Sequence, residues 1–214
     1  MTTVIFAPHD DHGSDRVRPV DAVRRCRAMT TTAHHDPSPA AAEIAELLTE
    51  FDRATAYTES LWADLTVEEV HWRPRAESSA IGWHLGHQAA VLHYMVRNLT
   101  AAEPPIDADL DRLMDSATPE PDRGDLPDLA RLRSYRTIAA ERLHVRMNDI
   151  ASGRVGAPTQ LGRVATGLII AVTNHEYQHS QWIGEVRSDD LGHSLPPRPT
   201  SDRLVEVQGY LMIG

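Results

Sequence analysis

The sequence contains no lysine, because all 21 of its basic residues are arginines. Without lysine the chain cannot form a Schiff base with a substrate or with pyridoxal phosphate, and it cannot supply a Walker A lysine. The single cysteine, Cys26, excludes a disulfide framework and a cysteine-rich zinc site. Twelve histidines are present, so metal or acid–base chemistry in this chain depends on histidine and carboxylate side chains.

An excess of positive charge and long apolar runs are also missing. The 214 residues include 31 acidic ones, and the formal net charge is −10. That charge disfavours a nucleic-acid surface, and with it a DNA-associated stress protein. The best apolar stretch, 164–173, is too short to cross a bilayer, and the N-terminus lacks the pattern of a signal peptide. We therefore expect a cytoplasmic protein with neither a membrane nor a nucleic-acid partner.

The chain divides into three predicted segments. Residues 1–36 carry five aspartates and five arginines with little apolar periodicity, which predicts a disordered N-terminal extension. Residues 37–190 carry helical patterns and are predicted to form one domain. The tail, 191–214, contains three prolines and an apolar stretch whose pattern selects neither helix nor strand.

Four amphipathic helices are predicted within the domain, because apolar residues recur there every three or four positions. Ser38 and Pro39 signal the start of the first, and Thr66 caps a short piece after it. The second follows Ser79, the third opens at Leu126 or Pro127, and the fourth begins near residue 158. This pattern predicts an all-α, up-down four-helix bundle.

An acidic connection at 101–128 joins the second and third predicted helices. It contains five prolines and nine acidic residues against two arginines. Its aspartates resemble a calcium loop that begins at Asp107, but an EF-hand needs glycine and an acid where Arg112 and Thr118 stand. We therefore predict a solvated acidic loop, which is unusually long for an up-down bundle.

Two histidine clusters lie on the second and fourth predicted helices, in G-W-H-L-G-H-Q (82–88) and N-H-E-Y-Q-H-S-Q (174–181). Residues four apart share a helix face, so His175 and His179 direct two imidazoles to one point. A third imidazole, from His84 or His87, would complete an open site for a divalent metal; spacing alone does not choose between them.

Ordinary interfacial histidines are the alternative interpretation of such a pair. Both clusters interrupt apolar stripes that should fill a bundle core, where imidazoles need a metal or hydrogen bonds, and this favours a metal site. The His-Glu-x-x-His motif of zinc proteases is absent. Glu176 and His179 match the Glu-x-x-His of di-iron bundles, but a second copy is missing, so one metal ion is favoured over two.

The two motifs, S-S-A-I-G-W-H-L-G-H-Q and T-N-H-E-Y-Q-H-S-Q-W-I-G-E-V-R, together resemble the DinB-like superfamily of metal-binding four-helix proteins over roughly residues 40–190. They are also similar to the N-terminal domain of ergothioneine sulfoxide synthases and to mycothiol-dependent isomerases and transferases. The resemblance implies that His87, His175 and His179 bind the metal. It leaves His84 beside the ligands or on the substrate side.

Several neighbouring residues are candidates for supporting roles. Gln88 and Glu176 can orient the ligand imidazoles. Arg97 and Arg136 can receive a substrate carboxylate, with an ordinary surface role as the alternative.

The resemblance also implies an activity. A three-histidine zinc, nickel or iron ion would activate a thiol, water or carbonyl in a thiol-dependent transferase or isomerase of small molecules. A low-molecular-weight thiol is the expected substrate class, and a homodimer the expected assembly. The catalytic domain appended in sulfoxide synthases is lacking, so their full reaction is not expected. Because no residue stands out as a general base, the alternative is a metal-stabilised scaffold or a module that binds a ligand or partner without catalysis.

Overall fold

The computed structural model describes residues 38–100, 103–118, 123–155 and 158–214. The predicted disordered extension, 1–36, lies outside the described residues, so its disorder stays a prediction.

Six α-helices and one β-hairpin make up the described part of the chain. They are α1 (Pro39–Trp62), α2 (Val67–His71), α3 (Ile81–Thr100), α4 (Ala108–Leu113), α5 (Leu129–Ala151), α6 (Pro158–Glu185), β1 (Leu204–Val207) and β2 (Tyr210–Ile213). A π-helical turn, Val186–Asp190, continues α6. Within the described ranges, no helix is both long and apolar enough to cross a membrane.

Side-chain caps determine where several helices begin. The Ser38 hydroxyl accepts a hydrogen bond from the amide of Ala41, and proline follows in the first turn. Thr66 and Glu69 form a reciprocal capping box at α2. Asp128 accepts from the amide of Arg131, so α5 begins at Leu129, slightly later than the sequence predicted.

The predicted four-helix bundle is confirmed, with α1, α3, α5 and α6 packed around a shared apolar core. Helices α1 and α6 run parallel. Thr58 of α1 bonds to Glu176 of α6, and further along both helices the carbonyl of Leu61 accepts from Arg187.

Helices α3 and α5 both run opposite to that pair. His84 lies against His179 of α6, and Gln88 against Glu176, so α3 is antiparallel to α6. Along α5, Arg136 contacts Gln88 and Arg142 contacts His93, so α5 is parallel to α3.

The directions up, down, down and up correct the predicted alternation of an up-down bundle. Two adjacent parallel helices require a connection that returns along the bundle, about 30 Å for a helix of α3's length. The connection at 101–128 meets this requirement, which explains why it is so long.

The acidic connection is also more ordered than the predicted solvated loop, because it contains α4. The Asp107 carboxylate accepts hydrogen bonds from the amides of Asp109 and Leu110 and so caps the helix. Leu110 and Met114, four residues apart, are buried in the bundle core. Asp109 and Asp115 are exposed, whereas Asp107 pairs with Arg131 and Asp111 accepts a hydrogen bond from Tyr135. Apolar burial and these polar contacts together hold the segment on α3 and α5.

The tail forms a hairpin that the sequence did not indicate. Gln208 and Gly209 both have positive φ, at 53° and 88°, as a two-residue type I′ turn requires. Ile213 at its end is buried in the main core, and its amide donates to the Asn174 side chain at 2.7 Å. The hairpin therefore packs on α6, one residue before His175.

Gly86 allows α4 to pack against α3. A Cβ atom at this position would clash with the Met114 side chain. At Gly167, in the middle of α6, a Cβ atom would meet no heavy atom within 4 Å among the described residues beyond the backbone of its own helical turns. Packing therefore requires glycine at position 86 but not at position 167, so Gly167 serves as a matched control.

We predict that Gly86→Ala lowers the free energy of unfolding by about 1–3 kcal/mol, because Met114 must move. The control, Gly167→Ala, should raise it by about 0.5–1 kcal/mol, because alanine favours the helix. Urea unfolding of both variants measures the difference. Equal effects from the two substitutions would contradict the close packing at Gly86.

Candidate metal centre

The antiparallel packing of α3 on α6 brings three histidines together. One potential ligand nitrogen from each of His87, His175 and His179 lies within 4.8 Å of the other two. We call these residues the histidine triad. Within the described residues it is the one group of three histidine, cysteine or acidic side chains close enough to hold a metal ion.

The orientation of His87 is determined by the connection between α3 and α5. Its Nδ1 atom lies 2.7 Å from the carbonyl oxygen of Met114. A carbonyl can only accept, so Nδ1 carries the proton and Nε2 keeps its lone pair. Metal-binding histidines commonly make this kind of hydrogen bond to a carbonyl group. The close packing at Gly86 positions that carbonyl.

His84 contacts the triad without belonging to it. Its Nδ1 atom lies 2.9 Å from Nδ1 of His179, so one imidazole donates and the other accepts. His84 also lines a cleft of about 280 Å³ beside Trp182 and Glu185. His84 thus contacts a triad residue and also borders the cleft. The resemblance had left open whether it lies beside the ligands or on the substrate side.

Two tryptophans pack against the imidazoles. Trp83 stacks on His87 with ring centroids 4.6 Å apart, and Trp182 meets His179 edge-on at 4.7 Å. The Arg123 guanidinium lies 3.7 Å from the centre of the Trp83 ring, a cation–π contact. The sequence contains part of this signal, since Trp83 is four residues before His87 and Trp182 three after His179. The sequence gives no signal that Arg123 lies beside Trp83.

Burial keeps these histidines neutral. Burial, together with repulsion from His87, lowers the pKa of His175 to about 4 and that of His84 to about 3. The pKa of His179 is strongly lowered by burial and by its three histidine neighbours, and that of His87 is lowered mainly by burial. Neutral imidazoles are the form that binds metals.

In the described part of the chain, neither Gln88 nor Glu176 makes a hydrogen bond to an imidazole of the histidine triad. Instead the Gln88 amide donates to the backbone carbonyl of Glu176, and its side-chain oxygen accepts from Arg136. The Glu176 carboxylate accepts from Arg136 at 2.8 Å and from Thr58 at 2.7 Å. Both residues directly follow a triad histidine and join the helices that carry the triad.

Arg136 is a central residue whose role the sequence did not reveal. It is buried, and it donates to Glu59, the Leu85 carbonyl, Gln88 and Glu176. A free surface arginine is therefore the wrong description, whereas Arg97 is exposed on α3. Its burial could have been predicted, because Arg136 is a charged residue within the apolar stripe of its helix, but its partners on other helices could not.

We predict that the metal-free protein loses stability as the pH falls below 6.5, the ordinary histidine pKa. Between that pH and the lowered folded-state pKa values, the unfolded chain binds more protons. Each buried histidine therefore lowers the free energy of unfolding by about 1.4 kcal/mol per pH unit. Urea unfolding with a chelator measures this slope, and His175→Gln should reduce it. A stability that stays constant from about pH 7 to pH 5 would contradict neutral burial.

We also predict that Arg136→Ala costs about 3–5 kcal/mol of unfolding free energy, because it leaves the Glu176 carboxylate buried without its partner. Arg112→Ala, which removes an exposed pair with Asp109, should cost less than about 1 kcal/mol. Adding Glu176→Gln to Arg136→Ala should recover part of the loss. If the double variant is less stable than Arg136→Ala alone, the uncompensated charge is not the cause.

Comparisons with known proteins agree with this architecture. The family profile described as the DinB superfamily matches residues 50–183, a range that contains both histidine clusters and most of the bundle. A search of curated proteins found no match. The chain belongs to the DinB superfamily.

Proposed function

We propose that the histidine triad binds one divalent metal ion and that the protein uses it as a small-molecule enzyme, of the thiol-dependent transferase or isomerase type. The observation that carries the proposal is the approach of three potential ligand nitrogens to within 4.8 Å, in a bundle of the DinB superfamily. Zinc, nickel and iron are the candidate metals, because imidazole suits each of them.

The donor set fits such an ion. His87 holds its proton on Nδ1, which leaves the Nε2 lone pair for the metal. His179 can bind in the same way if its Nδ1 proton is donated to His84, whose Nδ1 lies 2.9 Å away. Three histidines leave coordination positions for water or substrate, as in catalytic zinc sites.

The chemistry that this ion supplies when bound is the deprotonation of a thiol or water, or the polarisation of a carbonyl. The side chains around the triad hold the imidazoles in place and cover them. His84 holds the His179 ring, while Trp83 and Trp182 cover the imidazole faces and edges. The cleft beside His84, at about 280 Å³, has room for part of a small substrate such as a low-molecular-weight thiol.

A metal-stabilised scaffold is the second candidate, and one observation favours it. His84 is the histidine that lines the cleft beside Trp182; no triad histidine is among the residues that line it. In this alternative the metal binds the triad imidazoles, two of which are buried, and so stabilises the packing of α3 on α6, while no substrate reaches it.

The first test measures metal content. Protein prepared with excess zinc, nickel or iron and then desalted should retain about one equivalent of one metal. His175→Ala and His179→Ala should abolish retention, and His84→Ala should weaken affinity by roughly 10–100-fold. His144→Ala is the control, because His144 pairs with Asp52 on another face of the bundle. Wild-type protein that retains no metal under these conditions would refute the proposal.

A second measurement separates the enzyme from the scaffold. The metal-loaded protein is assayed with a panel of low-molecular-weight thiols and electrophilic or isomerisable acceptors, with and without a chelator. If the protein is an enzyme, we expect thiol-dependent turnover that is lost in folded His175→Ala. If the protein is a metal-stabilised scaffold, we expect chelation to lower the free energy of unfolding, and we expect no member of the panel to be turned over.

A further inference from the structure

A second cavity lies between α1 and α5, with residues of α3 and α6 at its floor. Its volume is about 520 Å³, which is in the range of small-ligand sites. Neither the triad histidines nor His84 is among the residues that line it. The cavity is thus separate from the proposed metal site, and the proposed function leaves it unused.

One half of this cavity has an apolar interior. Phe51 of α1, Ala89 and Leu92 of α3 and Ala140 of α5 line it. Phe51 and Leu92 are buried core residues, so their positions are set by packing on the rest of the bundle. Such a wall suits a flat or branched hydrocarbon group, whose transfer from water is favourable.

The rim of the same half is acidic. Asp52, beside Phe51 in the chain, and Glu141, beside Ala140, both line the cavity. Asp52 accepts a hydrogen bond from His144 at 2.7 Å, yet its side chain remains 58% exposed. A ligand cation can therefore approach this carboxylate from solvent.

At the other end of the cavity the charges balance. Glu59 and Glu176 lie there with Arg133 and Arg136, and Arg136 is bonded to both carboxylates. The excess negative charge of the cavity therefore belongs to Asp52 and Glu141. Clefts lined by one sign of charge attract ligands of the opposite sign.

We infer that this cavity binds a small hydrophobic amine. Its apolar body packs against Phe51 and Leu92, and its ammonium group lies at the rim between Asp52 and Glu141. At the other end of the cavity the Arg136 guanidinium is bonded to Glu59 and Glu176, and the Arg133 guanidinium lies over the Trp62 ring, so Asp52 and Glu141 are the charged groups at the rim. This binding site is independent of any metal at the triad.

The probe is phenethylamine, compared with phenethyl alcohol and hydrocinnamate as neutral and anionic molecules of similar shape. Calorimetry at about pH 8, where histidine is neutral, should show that the amine binds most tightly. Tighter binding of the anion, or equal binding of all three, would overturn the assignment of an amine. No binding of any probe would overturn the cavity as a site.

Two substitutions place the probe in the cavity. Ala140→Phe fills it and should weaken amine binding by roughly tenfold or more, whereas Val145→Phe, at an exposed position of the same helix, should not. Glu141→Gln should weaken it roughly two- to fivefold, as expected for an exposed charge. Glu185→Gln, in the cleft beside His84, is the charge control. Loss of affinity in the controls alone would place the amine elsewhere and overturn the inference.

Amine binding in the cavity and metal binding at the triad can be tested independently. Folded His175→Ala should retain no metal and still bind phenethylamine with wild-type affinity. If wild-type protein binds the amine but no metal, the metal proposal fails and the amine site stands. If the amine affinity is lost with the triad histidine, the amine binds at the triad, and the separate site is refuted.

Discussion

Arg136 connects all four helices of the bundle. From α5 its guanidinium donates to Glu59 of α1, to the Leu85 carbonyl and Gln88 of α3, and to Glu176 of α6. A guanidinium in an apolar interior is costly unless acceptors surround it, so the four helices must keep the relative positions that supply them. The ion pair with Glu176 is therefore less a source of net stability than a determinant of how the helices are aligned.

That alignment determines the geometry of the candidate metal centre. Gln88 and Glu176, which meet Arg136, directly follow His87 and His175 in the chain. When α3 and α6 are aligned by these contacts, the histidines one residue earlier face each other across the same interface. The connection between α3 and α5 completes the arrangement, because α4 brings the Met114 carbonyl to His87. Fold and site thus depend on the same contacts.

Much of this could be predicted from the sequence, because helical periodicity and the His-x-x-x-His spacing are local signals. Four helices, the caps at Ser38 and Thr66, and the shared face of His175 and His179 are all consequences of such signals. The direction of α5 is not local; it follows from which helices pack together, although the length of the acidic connection was a clue. The role of Arg136 depends on acceptors from three other helices, which no spacing along one helix reveals. The hairpin was missed because two short strands carry little periodicity.

The central claim is that the alignment of α3 on α6 creates one three-histidine metal site. The most direct measurement is a crystal structure of metal-loaded protein, with anomalous scattering recorded at the absorption edge of the metal. We predict one strong anomalous peak bonded to nitrogens of His87, His175 and His179, at about 2.0–2.1 Å if the ion is zinc. A peak bonded to other residues, or the absence of any peak between α3 and α6, would contradict the account.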